Sequence, residues 1–207
     1  MAHESEPRFL VLHALKLKGF AEAEPIAACT GLDPAEVTCQ LDDLGTEGLA
    51  IHREGRLTGW SLTPEGKAAH ASSIGTELDA AGCRATVDDA YRRFLALNAD
   101  MLGVCTAWQV RGEAMNDHSD AAYDKDVIDQ LLGVHDRVRP VTADLRDALA
   151  RYDRYGERLR TALERLLGGE HEWFTKPVID SYHTVWFELH EDLLSTLGLD
   201  RGREAIS

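Results

Sequence analysis

The apolar positions of the first eighty residues fall into short helical repeats separated by glycine and proline. The first repeat, Phe9–Leu17, follows Pro7 and stops at Gly19, which predicts a helix begun by proline and ended by glycine. A second run, Pro25–Thr30, meets Gly31, which can take the positive φ of a helix C-terminus. The pattern therefore predicts two helices before residue 32.

A third helix is predicted to begin at Asp33. Asp33 is a favourable N-cap, Pro34 a favourable first helical residue, and Glu36 stands where a capping box places its carboxylate. One face of this helix repeats apolar residues at i, i+4 and i+7: Val37, Leu41 and Leu44. We expect that face to be buried.

A β-hairpin and a fourth helix complete this region. The runs Leu49–Arg53 and Leu57–Leu62 are strand-like and flank the compact turn Glu54–Arg56. Thr63 and Pro64 then form the predicted start of a helix that continues toward Ala81. The predicted order is helix, helix, helix, hairpin, helix.

The remainder of the chain is predicted to be helical. The sequence predicts these helices and the break within them: a helix over Val87–Val110, a polar break at Gly112–Ser119, a helix over Tyr123–Val138, a long helix opened by Pro140 and ended at Gly168, and a helix over Val178–Leu197. The fold class is therefore mainly α, with two domains: residues 1–82, containing the hairpin, and residues 83–207, an all-helical bundle suited to dimerisation and effector binding.

The negative net charge argues against a protein that binds polyanions such as nucleic acid over its whole surface. The chain has a formal net charge of −14, and residues 1–82 alone hold 6 basic and 13 acidic residues. Such acidity repels nucleic acid at long range, so a DNA-binding surface must be locally cationic. No apolar run reaches the roughly 18 residues of a membrane span, which predicts a cytoplasmic protein without membrane partners. The four cysteines are scattered, and neither a metal site nor a cofactor is expected.

Three local motifs together resemble the winged helix-turn-helix of MarR/PadR-type bacterial transcriptional regulators. They are Leu32-Asp33-Pro34, Glu47-Gly48-Leu49 and the stretch Trp60–Lys67 after the Arg53–Arg56 turn. The resemblance covers about residues 7–80. It implies that the third helix enters the major groove and that the hairpin touches the adjacent backbone.

The resemblance also implies roles for individual side chains. Base contacts would come from Ala35, Thr38 and Cys39, with Gln40 at their flank. Phosphate contacts would come from the cations Arg53, Arg56, Lys16, Lys18 and Lys67. The outward face of the third helix departs from the family pattern, because it has no Lys or Arg and carries Glu36, Asp42 and Asp43. An acidic module that docks on a partner protein or enzyme is therefore the alternative.

The last helix places two histidines in an aromatic stripe. His183 and His190 are seven residues apart and share a face with Trp186. With Trp108 and Tyr182 they form a candidate small-molecule effector site, while two hydrogen-bonded core histidines are the alternative. Metal binding by this pair is not expected, because no further ligand stands at a recognised spacing.

Enzyme signatures such as a dinucleotide fingerprint, a P-loop or a nucleophile elbow do not occur in the sequence. We therefore expect a transcriptional regulator without catalytic activity rather than an enzyme. Its predicted partners are double-stranded operator DNA, a second copy of the chain in a homodimer, and a small-molecule effector that changes the spacing of the two recognition helices.

Overall fold

The computed structural model describes residues 2–199, and these residues are mainly α-helical, as predicted. The first elements along the chain are α1 (Pro7–Lys18), α2 (Ala23–Thr30), α3 (Pro34–Thr46), β1 (Ala50–Arg53), β2 (Gly59–Leu62) and α4 (Pro64–Ala81). They are followed by α5 (Arg84–Gln109), β3 (Val110–Arg111), β4 (Ala114–Met115), α6 (Ala121–Ala148), α7 (Asp153–Leu167), α8 (Glu172–Thr175) and α9 (Tyr182–Leu197). None of the helices in the described part of the chain has the length and apolar character required to span a bilayer.

Two compact units divide the described residues. The N-terminal unit contains residues 3–84, 149–151 and 191–199, and the helical unit contains residue 2 with residues 85–148 and 152–190. The sequence pattern suggested a boundary after residue 82, close to the end of the first long segment. It gave no sign that residues 149–151 and 191–199 belong with that segment.

The helix ends of the N-terminal unit follow the predicted local chemistry. The Asp33 carboxylate accepts the Ala35 N–H at 2.8 Å, and the Thr63 hydroxyl accepts the Gly66 N–H at 3.0 Å. Gly31 ends α2 in the left-handed region, with φ of 76°. These contacts begin α3 and α4 and end α2 where the sequence predicts.

The core of the N-terminal unit joins the first three helices. Their completely buried side chains are Val11, Leu15, Ile26, Val37, Leu41 and Leu44. The predicted apolar face of α3 is therefore buried, as expected from its i, i+4, i+7 spacing. The opposite face of α3 is left on the surface of the unit.

The hairpin β1–β2 pairs in antiparallel register, with Ala50 opposite Leu62 and Arg53 opposite Gly59. Two backbone hydrogen bonds between Ala21 and Trp60, of 3.0 and 2.8 Å, attach β2 to the segment between α1 and α2. The hairpin is thus fixed through β2 to the segment that joins α1 and α2.

The helical unit departs from the prediction at Pro140. The expected start of a helix there is wrong, because α6 runs through Pro140 from Ala121 to Ala148. Proline removes one backbone hydrogen bond. The nearby side chains of Val138 and Val141 are buried, and their packing keeps the helix continuous. The break falls instead at the 3₁₀ turn Ala150–Tyr152.

The predicted polar break before α6 contains a second, shorter hairpin. Val110 pairs with Met115 and Arg111 with Ala114, around a turn in which Gly112 has φ of 64°. Two-residue strands leave too little alternation to be recognised in a sequence. This hairpin leads directly into the segment that contains Asn116 and His118.

Candidate functional site

The exposed face of α3 carries the side chains predicted to contact bases. Ala35, Thr38 and Cys39 are exposed, and Gln40 is half-buried at the edge of that face. The Thr38 hydroxyl donates to the Pro34 carbonyl oxygen at 2.9 Å. Its hydrogen is therefore committed to the helix, and the oxygen is left as a hydrogen-bond acceptor.

Close packing fixes the hairpin against α3 and α4. A Cβ on Gly45 would lie 2.9 Å from the Trp60 ring, and a Cβ on Gly66 would lie 1.9 Å from the Leu49 carbonyl oxygen. Both glycines allow an approach that any side chain would prevent. The hairpin and α3 therefore form one rigid surface.

The predicted phosphate-binding cations lie on the hairpin, at the end of α1 and near the start of α4. Arg53 and Arg56 are exposed on the hairpin, and Lys16 and Lys18 are exposed in the last turn of α1. Lys67 is exposed in the first turns of α4. All five predicted cations are thus accessible to a phosphate backbone.

Acidic groups share the same surface. Asp42 and Asp43 are exposed on α3, and Glu36 is half-buried. The Glu47 carboxylate accepts a 2.7 Å hydrogen bond from Arg8, which keeps that arginine on the protein. The surface is therefore mixed in charge, with its cations on the hairpin and α1 and its carboxylates on α3.

A second feature of the N-terminal unit was not found from the sequence: a buried polar network, defined here by His13, His70, Arg151, Asp192 and Glu77. The His13 and His70 rings stack with centroids 5.2 Å apart, and His13 Nδ1 lies 2.9 Å from His70 Nε2. His13 Nε2 lies 3.0 Å from Asp192 Oδ1. Both histidines are almost fully buried, at 4% and 2% exposure.

Arg151 connects the carboxylates of the buried polar network. Its guanidinium donates to Glu77 Oε2 at 3.1 Å, to Asp192 Oδ1 at 2.6 Å and to the Thr196 hydroxyl at 2.7 Å. One guanidinium bridges the two carboxylates, and each group has a close polar partner, as buried charges require. The network ties residues 149–151 and 191–196 to α1 and α4.

Burial keeps His70 neutral. Loss of hydration, followed by the nearby charges of His13, Lys16 and Arg151, lowers the pKa of His70 to about 3. A neutral His70 can form its 2.9 Å hydrogen bond with His13 without adding a positive charge of its own to the interior. The buried polar network is therefore a structural element of the N-terminal unit, and its loss should destabilise that unit.

The predicted effector residues fall into two separate groups of the helical unit. Trp108 contacts His118, His171 and Phe174. In α9, Tyr182 packs on His135, Trp186 on Phe94, and His190 on both Phe94 and Tyr91, while His183 is half-buried. None of the predicted effector residues lines the cavity of about 780 Å³ between α6 and α7, or the cavity of about 470 Å³ beside α1 and α4.

Two of the predicted effector residues in α9, Tyr182 and Trp186, have polar partners. The Trp186 indole donates to Asn98 Oδ1 at 3.1 Å, and His135 Nδ1 lies 3.2 Å from the Tyr182 hydroxyl. Burial raises the pKa of Tyr182 far above its usual range and lowers the pKa of His183. These contacts are those of packed core residues.

Comparison with family models, with curated proteins and with solved structures found no match to this chain.

Proposed function

We propose that the N-terminal unit is a winged helix-turn-helix module that binds operator DNA, and that the protein is a transcriptional regulator. The observation that supports the proposal is the rigid surface on which the exposed face of α3 stands beside a hairpin presenting Arg53 and Arg56. A helix in the major groove with a flanking hairpin on the backbone is an established mode of DNA recognition.

Each exposed side chain of α3 has a role that its chemistry permits. Thr38 Oγ1, with its hydrogen bonded to Pro34, would accept from an amino group of adenine or cytosine. Ala35 is small enough for close approach and can contact a thymine methyl group. Cys39 and Gln40 would read the next base pairs along the groove.

Phosphate binding would come from the hairpin and the end of α1. Each phosphate contact contributes about 0.9 to the slope of log affinity against log salt. Arg53, Arg56, Lys16 and Lys18 would therefore give a slope of roughly 4 per protomer, if all four engage. Arg8 would add nothing while it remains bound to Glu47.

The first experiment is selection of binding sites by the full-length chain. A random-sequence duplex library of about 30 base pairs spans two half-sites about one helical turn apart. We expect enrichment of a two-fold symmetric sequence, since a homodimer would present two copies of α3. Light scattering of the free protein and of the complex checks that the binding species is a dimer.

The salt dependence of binding to the enriched duplex then tests the hairpin. The double variant Arg53→Ala/Arg56→Ala should weaken binding and lower the salt slope by about 2 per protomer, which is about 4 for the dimer. A matched control, Arg92→Ala/Arg160→Ala, removes the same charge from exposed positions on α5 and α7. An unchanged slope in the hairpin variant, or an equal loss in the control, would contradict the proposed contacts.

The carboxylates of α3 favour a second function, docking on a partner protein. Asp42 and Asp43 are exposed, and the described part of α3 has no lysine or arginine to offset them. Under the first proposal, Asp42→Asn/Asp43→Asn strengthens DNA binding by removing repulsion. If no duplex is enriched and the same variant loses a basic protein partner, the docking function replaces the regulator.

A further inference from the structure

Three potential metal ligands meet in the helical unit: His118, Asp124 and His171. His118 lies between β4 and α6, Asp124 in the first turn of α6, and His171 between α7 and α8. Each offers one ligand atom, and these atoms all lie within 4.8 Å of one another. His118 and Asp124 are six residues apart, and the fold brings the distant His171 to them.

The Asp124 carboxylate is buried and held in a fixed orientation. Its side chain is 8% exposed, and its Oδ1 accepts from the Asn116 side-chain amide at 2.9 Å. Asn116 is itself fixed by donating to the Trp108 carbonyl oxygen at 3.1 Å. The second oxygen, Oδ2, lies 2.9 Å from His118 Nδ1 and faces the other two ligands.

Aromatic rings support the two imidazoles from one side. The Trp108 ring lies 4.4 Å from the His118 ring and 5.4 Å from the His171 ring, between centroids. Phe174 packs on Trp108 at 4.9 Å. Because His171 is exposed and His118 is partly exposed, the opposite side of the group is open to solvent.

The backbone at His118 is unusual. Among residues 2–199, His118 is the only non-glycine residue with a positive φ, of 57°. Its N–H donates to the Asn116 side-chain oxygen at 3.2 Å, which holds the segment in this conformation. Such conformations persist where surrounding contacts require them, and they concentrate at functional sites.

We propose that His118, Asp124 and His171 bind one divalent transition-metal ion such as Zn²⁺. Two imidazole nitrogens and one carboxylate oxygen are a donor set that Zn²⁺ and its first-row neighbours accept, whereas Ca²⁺ and Mg²⁺ prefer oxygen ligands. Three protein ligands with an open side leave a coordination position for water or a small ligand.

The metal would replace a proton that the group holds without it. His118 and Asp124 share a hydrogen bond, so the nitrogen or the carboxylate must give up that hydrogen before both can coordinate. Metal binding at such ligands releases protons, and the affinity falls as the solution is acidified. Asn116 would orient the carboxylate from behind, as the outer partners of metal ligands do.

This site does not depend on the proposed DNA binding. Its ligands belong to the helical unit, whereas α3 and the hairpin belong to the N-terminal unit. The sequence gave no sign of it, because the three ligands have none of the close spacings of known metal motifs. Loss of DNA binding and loss of metal binding are therefore separate outcomes in separate assays.

The experiment is a titration of the full chain with Zn²⁺ against a chromophoric chelator. The protein carries Cys39→Ser, because Cys39 is an exposed thiol that binds zinc by itself. We expect one equivalent of Zn²⁺ per chain. We also expect Co²⁺ to give a visible ligand-field spectrum without a sulfur charge-transfer band.

Two variants and a control test the ligands. His171→Ala changes an exposed residue, so the fold is retained, and it should weaken Zn²⁺ binding more than tenfold. His118→Ala should do the same and should also remove the Co²⁺ spectrum. His52→Ala, an exposed histidine of the hairpin, should leave the affinity unchanged.

Two results would overturn the proposal. One is a parent protein that takes up no stoichiometric zinc at neutral pH. The other is a His171→Ala protein that binds zinc as tightly as its parent, which would mean that His118 and Asp124 form only a hydrogen-bonded pair.

Discussion

Two clusters of histidine and carboxylate side chains in this protein contain similar residues but differ in their surroundings. In the buried polar network, His13 lies between His70 and Asp192, and Arg151 bridges the carboxylates of Asp192 and Glu77. In the group of His118, Asp124 and His171, one carboxylate faces two imidazoles, and one side is exposed. Both combine histidine with aspartate, and of the two only the second has an exposed ligand, His171.

The difference lies in what satisfies the carboxylate. Asp192 accepts from a guanidinium at 2.6 Å and lies 3.0 Å from His13, so its charge is balanced inside the protein. Asp124 has a neutral amide on one oxygen and an imidazole on the other. A buried carboxylate paired with arginine destabilises the fold when the arginine is removed, whereas a carboxylate faced by imidazoles can accept a cation.

The largest effect is expected from breaking the buried polar network. Arg151→Ala leaves the Glu77 and Asp192 carboxylates buried without their guanidinium. Removing one partner of a buried ion pair costs about 3–5 kcal/mol. Urea unfolding followed by circular dichroism should show that loss in the free energy of unfolding.

The matched control for this variant is Arg160→Ala on the surface of α7. Arg160 is exposed and paired with the exposed Glu164, so its loss should cost less than about 1 kcal/mol. Equal losses in the two variants would show that the buried polar network contributes no more than a surface ion pair.

A truncation after Gly82 follows the same reasoning. It removes the Asp192 carboxylate beside His13 and the Arg151 guanidinium that donates to Glu77. The isolated segment 1–82 should therefore fail to unfold cooperatively in urea, so DNA binding is tested on the full chain. A cooperative transition in the fragment would show that the added segments are dispensable.

An intermediate effect is expected at the proposed metal site of His118, Asp124 and His171. Asn116→Ala removes the amide that orients Asp124, and loss of such an outer partner weakens metal binding by roughly 10–100-fold. Asn98→Ala is the control, because Asn98 accepts a hydrogen bond from Trp186 in the same unit and has no hydrogen bond to the proposed ligands. Similar zinc affinities for the two variants would remove Asn116 from the site.

Local rules predict the helix ends and the hairpin of the N-terminal unit. Asp33, Thr63 and Gly31 act within a few residues of their partners, so their effects can be read from the chain. At Pro140 the local rule fails, because burial of the apolar face of α6 outweighs the hydrogen bond that proline removes.

The sequence did not predict that the residues of either histidine cluster would come together. His13 and Asp192 are 179 positions apart, and His118 and His171 lie in segments that show no periodicity. The exposed face of α3 could be predicted, since it is the complement of an apolar helical repeat. Sites formed by distant segments depend on tertiary packing, which no local pattern encodes.

A further test of the buried polar network uses pH. Burial lowers the pKa of His70 to about 3, against 6.5 for the exposed residue. The folded protein therefore holds fewer protons on this group than the unfolded chain, and its stabilising contribution is complete above pH 6.5. It declines as the pH falls from 6.5 toward 3, by up to about 1.4 kcal/mol per pH unit.

His70→Gln keeps a polar side chain that does not titrate, so its free energy of unfolding should fall less steeply between pH 6.5 and 4.5 than that of the parent. Burial also lowers the pKa of His135 and His183, so part of the slope should remain in the variant. Urea unfolding at each pH is measured with a chelator present, because bound metal adds its own pH dependence to stability. Identical slopes for parent and variant would mean that His70 is already protonated in the folded protein, and the neutral arrangement of the buried polar network would be wrong.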